Sequence, residues 1–307
     1  IRDADEPGVG SEPESGVRDD EIDIAPTAIA PSAGPDVPSP MNDLPSGAAF
    51  GSLVHAVLED ADPLAPDLAA ELAERVRTHS VWWPVNVTAG ALASALVPMH
   101  DSPLGPLAPG VTLRQIGAQD RLRELDFEIP LAGGDARGVV PEIRLADVGE
   151  LLAAYLPSDD PLAGYADRLR SNGLGDQQLR GYLSGSIDAV LRLPSQRYLV
   201  VDYKTNLLGD TAADYGFSAL TGAMLHSDYP LQALLYLVVV HRFLRWRQPG
   251  YDPERHLGGV LYLFVRGMCG AATPVTGGNP TGVFSWHPPA GLTVALSDLL
   301  DDGRRAT

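Results

Sequence analysis

Two aspartates and a lysine stand where a hydrolytic reaction could be run. Asp188 lies in Gly185-Ser186-Ile187-Asp188, and Asp202 in Val200-Val201-Asp202-Tyr203-Lys204. Two convergent carboxylates suit a hard, oxygen-seeking cation, and Mg2+ takes one or two of them while keeping several waters. A cation so held polarises a phosphodiester and lowers the pKa of an attacking water. Lys204 follows Asp202 by two residues, and in a strand residues i and i+2 face the same side. A carboxylate that holds a cation and an ammonium that holds phosphate or water would therefore project together. Lys204 is also the one lysine among 22 basic residues, the others all being arginine. The plain alternative is a solvated turn start with a surface ion pair, worth little energy. The lone lysine, the second aspartate and the apolar run before Asp202 weigh against it.

The elements that must position these groups follow from periodicity. Order is expected from Gly47 onward, with helices over Ala48–Leu58 (carrying His55), Asp67–Thr78 and Gly90–Met99. Alternation predicts a strand over Arg123–Leu131, and the spacing of Leu145, Val148, Leu152 and Tyr155 a helix to Leu156. Tyr182–Leu193 and Arg197–Tyr203 read as strands joined by a hairpin-length connection. Asp188 sits on the first and Asp202 near the end of the second. Strands so joined pair antiparallel, and the two carboxylates meet only if a bulge or bend aligns them. A long apolar helix over Pro230–Trp246, a buried strand over Leu257–Val265, and a short strand and helix within Val283–Leu300 complete the order. This is an α/β domain: a mixed central β-sheet flanked by helices, with an N-terminal helical segment.

Composition sets limits. The net charge is −18, but residues 1–40 hold ten acids and two bases and carry −8 of it. Residues 1–45, rich in Asp, Glu, Pro, Gly and Ser, read as a disordered tether, leaving 46–307 as one domain of ordinary size. A tether there, and a first residue Ile1 rather than Met, suggest a piece of a longer chain. The single cysteine, Cys269, excludes a disulfide framework and any four-cysteine zinc or iron–sulfur site within this chain, and fits a reducing cytoplasm. No membrane association is expected: the longest apolar run, Leu231–Val240, is far short of the roughly 20 residues of a spanning helix.

Taken together, Gly185-Ser186-Ile187-Asp188-Ala189-Val190, Val201-Asp202-Tyr203-Lys204-Thr205-Asn206 and Gln232-x-x-x-Tyr236 resemble the RecB-type nuclease domain of the PD-(D/E)xK superfamily. The likeness extends to Gly51–Asp60, Tyr229–Leu244 and His256–Gly267, and covers roughly residues 41–303. It implies a restriction-endonuclease-like core and a metal-dependent exodeoxyribonuclease of a RecBCD-type helicase–nuclease, acting in DNA repair and recombination. His55, Asp188, Asp202 and the backbone carbonyl of Tyr203 would bind Mg2+, and Lys204 would orient the attacking water. Glu124 matches the acidic residue of the first strand, and Gln232 and Tyr236 the motif after the site. The implied partners are single-stranded DNA delivered by a helicase, RecC- and RecD-like subunits, and a RecA-like recombinase. ATP would serve only the helicase part, since no G-x-x-x-x-G-K-[ST] run occurs here.

Alternatives stand beside these roles. Glu124 could pair with Arg121 and Arg123 at the surface. Gln232 and Tyr236 could simply pack. Arg242, Arg245 and Arg247 could follow a DNA backbone or decorate a helix C-terminus. His226, His241 and His256 are expected to be structural. A second function class, a docking module that helps load the recombinase with little cleavage of its own, would have no reason to keep His55, Asp188, Asp202 and Lys204 together.

Overall fold

The computed structural model describes residues 37–131 and 142–302. Residues 1–36, the larger part of the expected tether, lie outside the described residues. Three helices come first: α1 (Ala48–Asp60), α2 (Leu68–His79) and α3 (Ala89–Asp101). Side chains of Asp67 and Thr88 cap α2 and α3 by accepting from Ala70 and Ala91 N–H. Then follow β1 (Arg121–Leu131), α4 (Leu145–Tyr155), α5 (Tyr165–Leu169), β2 (Gly181–Arg192) and β3 (Tyr198–Lys204). The chain continues through α6 (Phe217–His226), α7 (Tyr229–Arg247), α8 (Pro253–His256) and β4 (Leu257–Phe264). It ends with β5 (Val275–Thr276), β6 (Asn279–Pro280), β7 (Val283–Trp286) and α9 (Ala290–Asp302). Strands β5 and β6 form a separate two-stranded ribbon.

The main sheet has the order β1-β2-β3-β4-β7, antiparallel except for the parallel β3–β4 pair. Alternate residues of its central strands feed two cores. Val200, Val260, Tyr262 and Phe264 pack under α4–α7 and α9, whereas Leu199, Val201, Tyr203, Leu261 and Leu263 pack under α1–α3. Every residue of β4 is buried, which explains its unbroken apolar run. The result is three layers, helices on both faces of a mixed sheet. One irregularity matters for the site. Tyr198 opposes Leu257 but Leu199 opposes Gly259, so Gly258 is an extra residue at the start of β4. Gly259 has φ +99°, and a Cβ there would lie 2.4 Å from the Trp286 carbonyl oxygen. Beyond this bulge the register sets Asp202 opposite Tyr262 and Lys204 opposite Phe264.

Packing starts earlier than Gly47. Residues 37–45 form a strap: Pro38 bridges Thr211, Ser39 N–H donates to the Asp210 carbonyl, and Met41 is buried. Arg266, itself fully buried, clamps the strap. Its Nη1 donates to the Met41 carbonyl at 2.9 Å, its Nη2 to the Pro45 carbonyl, and its Nε to the Thr205 carbonyl at 2.8 Å. The guanidinium also lies over the Phe50 ring, 5.2 Å from its centre. Composition hid this strap because polar and Pro-rich chain is held by distant partners, the Asp210–Ala212 backbone and the Arg266 side chain, with Met41 as its fully buried apolar anchor.

Among the described residues, no single helix is long and apolar enough to cross a membrane. Most of α7 is buried within the protein, Leu231, Leu234 and Leu237 among it.

Replacing Arg266 by Met takes this donor from three carbonyls, two of them, of Met41 and Thr205, buried. Arg266→Met is expected to lose on the order of 3 kcal/mol or more in urea unfolding. Arg245→Met, at an exposed position, should stay within about 0.5 kcal/mol of the parent chain.

Candidate active site

Strands β2 and β3 pair only from Arg192–Tyr198 up to Ala189–Val201. Continuing that register would set Asp188 opposite Asp202, and there the ladder opens. The Asp188 carboxylate takes the place of a strand neighbour: its Oδ2 accepts from Tyr203 N–H at 2.7 Å. Strand β2 bends here. Ile187 packs in the α7 core and Ala189 in the α1 core, though residues two apart in a regular strand share a face. On the other side of β2, the register sets Glu124 of β1 opposite Asp188, and Glu124 has φ +44°, a left-handed backbone unusual for a glutamate.

Helix α1 brings His55 to this opening. Its Nδ1 lies 3.4 Å from Asp188 Oδ1, and its ring meets Tyr203 edge-on at 6.3 Å. Burial opposes protonation of the imidazole, but the facing Asp188 carboxylate outweighs it, and the pKa rises to about 9. Asp188 is pushed the other way. Burial acts to raise its pKa, but His55 and the Tyr203 N–H overcome that and hold it below the usual carboxylate range.

Asp202 and Lys204 project from the opposite face of β3, the face of Val200 and α7. Lys204 Nζ lies 2.8 Å from Asp202 Oδ2, with both side chains more than nine-tenths buried. Burial raises the Asp202 pKa to about 7, opposed by Lys204 and aided by the Asp188 charge. The ammonium also sits 4.1 Å from the centre of the Tyr229 ring and 5.5 Å from that of Tyr262. Tyr262 O–H donates to Gln232 Oε1 at 2.8 Å, and Gln232 Nε2 donates to the Tyr236 hydroxyl at 3.0 Å. So Gln232 and Tyr236 are joined one turn apart on α7, and through Tyr262 they reach the strand beside Asp202.

Three residues of the site were not singled out by sequence. Tyr229 and Tyr262 flank Lys204, and their only signal was proximity to recognised motifs. Glu59 is the third. Four residues after His55 on α1, it shares that helix face, hydrogen-bonds Glu124 and feels the charges of Asp60 and Asp188. Burial first, then Glu124, raises its pKa to about 8. Glu124 thus faces another carboxyl rather than the surface cations: Arg123 donates to the Glu59 and Asp60 carbonyls, and Arg121 to the Leu58 carbonyl and the Tyr203 hydroxyl. Away from the site, Arg242 is bound to Ser297 of α9 through Nε and Nη2. These bonds tie its guanidinium to α9, whereas Arg245 and Arg247 are exposed. His241 is buried against Tyr251, and burial lowers its pKa to about 4.

The donor set at the opening, one imidazole, two carboxylates and the Tyr203 carbonyl, is the kind a hard divalent cation accepts. Among the described residues, no three His, Cys, Asp or Glu side chains are gathered closely enough to hold an ion as they stand.

These features define a class of protein. Residues 34–280 match the PD-(D/E)XK nuclease superfamily, and the chain belongs to it. Within that superfamily the chain is similar to the RecB subunit of the RecBCD enzyme. It is 71% identical to that of Mycobacterium tuberculosis over 99% of this chain. It is 68% identical to that of Mycolicibacterium smegmatis over 96%, and 31% identical to that of Escherichia coli K12 over 84%. The chain spans only 28%, 27% and 19% of the length of these relatives.

The Glu59 carboxyl gives a pH test of the geometry. Its folded pKa lies above its unfolded one, so the folded chain keeps a proton between about pH 4.5 and 8 that the unfolded chain has released. Stability from this group is full below pH 4.5 and lost as pH rises through 8. With metal chelated, Glu59→Gln should therefore match the parent Tm near pH 4 and exceed it increasingly toward pH 8.

Proposed function

We propose that this domain is a Mg2+-dependent deoxyribonuclease, the hydrolytic part of a RecBCD-type helicase–nuclease (exodeoxyribonuclease V) acting in double-strand-break repair and homologous recombination. The observation that carries this reading is the Asp202–Lys204 pair, two side chains on one strand face, buried together beside the opening that holds Asp188. A solvated turn would leave both in water.

His55, Asp188, Asp202 and the Tyr203 carbonyl are the groups that would hold the cation. When bound, Mg2+ supplies a Lewis acid for the phosphodiester and lowers the pKa of the attacking water. The protein's own residues then divide the work. His55 must lose its proton to donate a nitrogen, so binding at neutral pH releases one. Asp202 must be ionised, and the neighbouring ammonium favours that. Lys204 presents a fixed positive charge to the attacked phosphate, in surroundings dry enough to strengthen it. Two tyrosine rings and Asp202 hold it there, so little reorganisation is needed when negative charge builds on the phosphate oxygens. Gln232, tied to Tyr236 and Tyr262, fixes the wall behind Lys204. Glu124, with Glu59, fixes the far side of Asp188. The bond broken is the one to the 3′ oxygen.

The substrate is single-stranded DNA, read through its backbone and delivered by helicase motors that use ATP outside this chain. RecC- and RecD-like subunits and a RecA-like recombinase are the proposed protein partners, and the cytoplasm the compartment. In an assay of the chain with single-stranded DNA and Mg2+, Asp202→Ala and Lys204→Ala should each lower the cleavage rate by about 100-fold or more. Equal cleavage by the parent chain and Asp202→Ala would remove the assignment.

A further inference from the structure

Beside the Lys204 wall lies a cleft of about 250 Å3 between the β1–β2 edge, α5 and the start of α7. Phe127, Leu183, Tyr165, Leu169, Tyr229 and Tyr236 line it. Its floor is apolar and buried: Tyr165, Leu169 and Leu183 are each no more than 3% exposed. Its walls are aromatic. Phe127 and Tyr236 meet edge to face at 6.0 Å and 80°. At the rim the Arg168 guanidinium lies 5.6 Å from the centre of the Tyr165 ring and pairs with Asp228.

What links the cleft to the reaction is Tyr229. This residue lines the cleft, and its ring lies against the Lys204 ammonium at 4.1 Å. The cleft therefore opens next to the place where the scissile phosphate is held. Phe127 of its wall pairs with Gly185, three residues before Asp188, or about 10 Å along the strand. That is the reach of a nucleotide bonded to the phosphate, not of a distant surface.

Charge narrows the occupant. Residues 41–307 still carry −10 of the net charge, and Arg242 is engaged by α9, so the chain's overall field does little to draw in a polyanion. Affinity for a single strand must then come from its uncharged part. An unstacked base offers a flat apolar face, and aromatic or apolar walls accept such a base without reading its identity.

We propose that this cleft is a nucleobase subsite, holding one base of single-stranded DNA splayed out beside the phosphate to be cut. The proposal rests on the nuclease reading and deepens it. A duplex keeps its bases stacked and cannot fill the cleft without unpairing one, so the subsite favours single strands. It carries no base specificity, because Tyr and Phe faces stack on any base.

The test separates the subsite from the chemistry by measuring binding without cleavage. The affinity of the full 307-residue chain for an oligothymidylate is compared, in EDTA, with its affinity for an abasic deoxyribose-phosphate strand of equal length. The parent chain should bind the abasic strand about tenfold more weakly. Leu235→Trp fills the cleft from α7, and Leu174→Trp fills it from the opposite wall. Either variant, checked for an unchanged urea midpoint, should bind both strands alike. Equal affinity of the parent chain for the two strands overturns the subsite. So does survival of the difference in a folded, filled variant. Cleavage in Mg2+ is read in parallel: if it is absent while the affinity difference persists, the nuclease reading falls and the base subsite stands.

Discussion

The site depends on one hydrogen bond, from Tyr203 N–H to the Asp188 carboxylate. A hairpin that kept its ladder would satisfy that N–H with a strand carbonyl and leave no opening. Here the side chain of β2 takes over from its backbone, and β3 runs on beside β4 alone. A buried N–H left without a partner would cost about as much as a lost hydrogen bond. The strand can therefore part from its neighbour only because a carboxylate stands at the fork. That same carboxylate faces His55 of α1, so the helix layer, the fork and the strand end are set by a single group. Arg121 reinforces this from behind, joining the end of α1 to the Tyr203 hydroxyl.

The bulge at Gly258 is the second condition. Without the extra residue, Asp202 would not face Tyr262, and the path from Tyr262 through Gln232 to Tyr236 would not reach the strand that carries Lys204. The sheet thus positions the site with two departures from regularity, one on each side of β3. On one flank the ladder opens so that charged groups can gather. On the other the register shifts so that aromatic and amide groups can enclose them. Both departures border β3, a strand buried on both faces, where the surrounding core holds them in place.

Much of this was legible in the sequence. Apolar periodicity marked most of the helices and the β2–β3 hairpin, because those segments bury one face or both. The Asp-x-Lys spacing placed two side chains on one strand face, and it does. Helix α6 was not anticipated, since Phe217–His226 carries no polar stripe and a glycine, Gly222, interrupts it. The strap at 37–45 escaped because its holding groups are distant, Arg266 more than 200 residues away. Glu59 was invisible for a similar reason: a glutamate near a helix end is usually solvated, and only the chain crossing at Glu124 makes it part of a carboxyl pair. Short-range patterns report which face of an element is buried. They do not report which distant backbone a buried charge will meet.

The choice between lysine and arginine follows the same logic. Arg266 is buried where a broad, planar cation can fan its donors toward three backbone carbonyls at different angles. Lys204 occupies a narrower place, with a carboxylate oxygen at 2.8 Å and a tyrosine ring centre at 4.1 Å. A compact ammonium on a flexible stem fits between them. A guanidinium of fixed fork geometry would have to displace Tyr229, which would also open the wall of the adjoining cleft. In a chain that uses arginine everywhere else, a lysine survives where the available space is the size of a point charge.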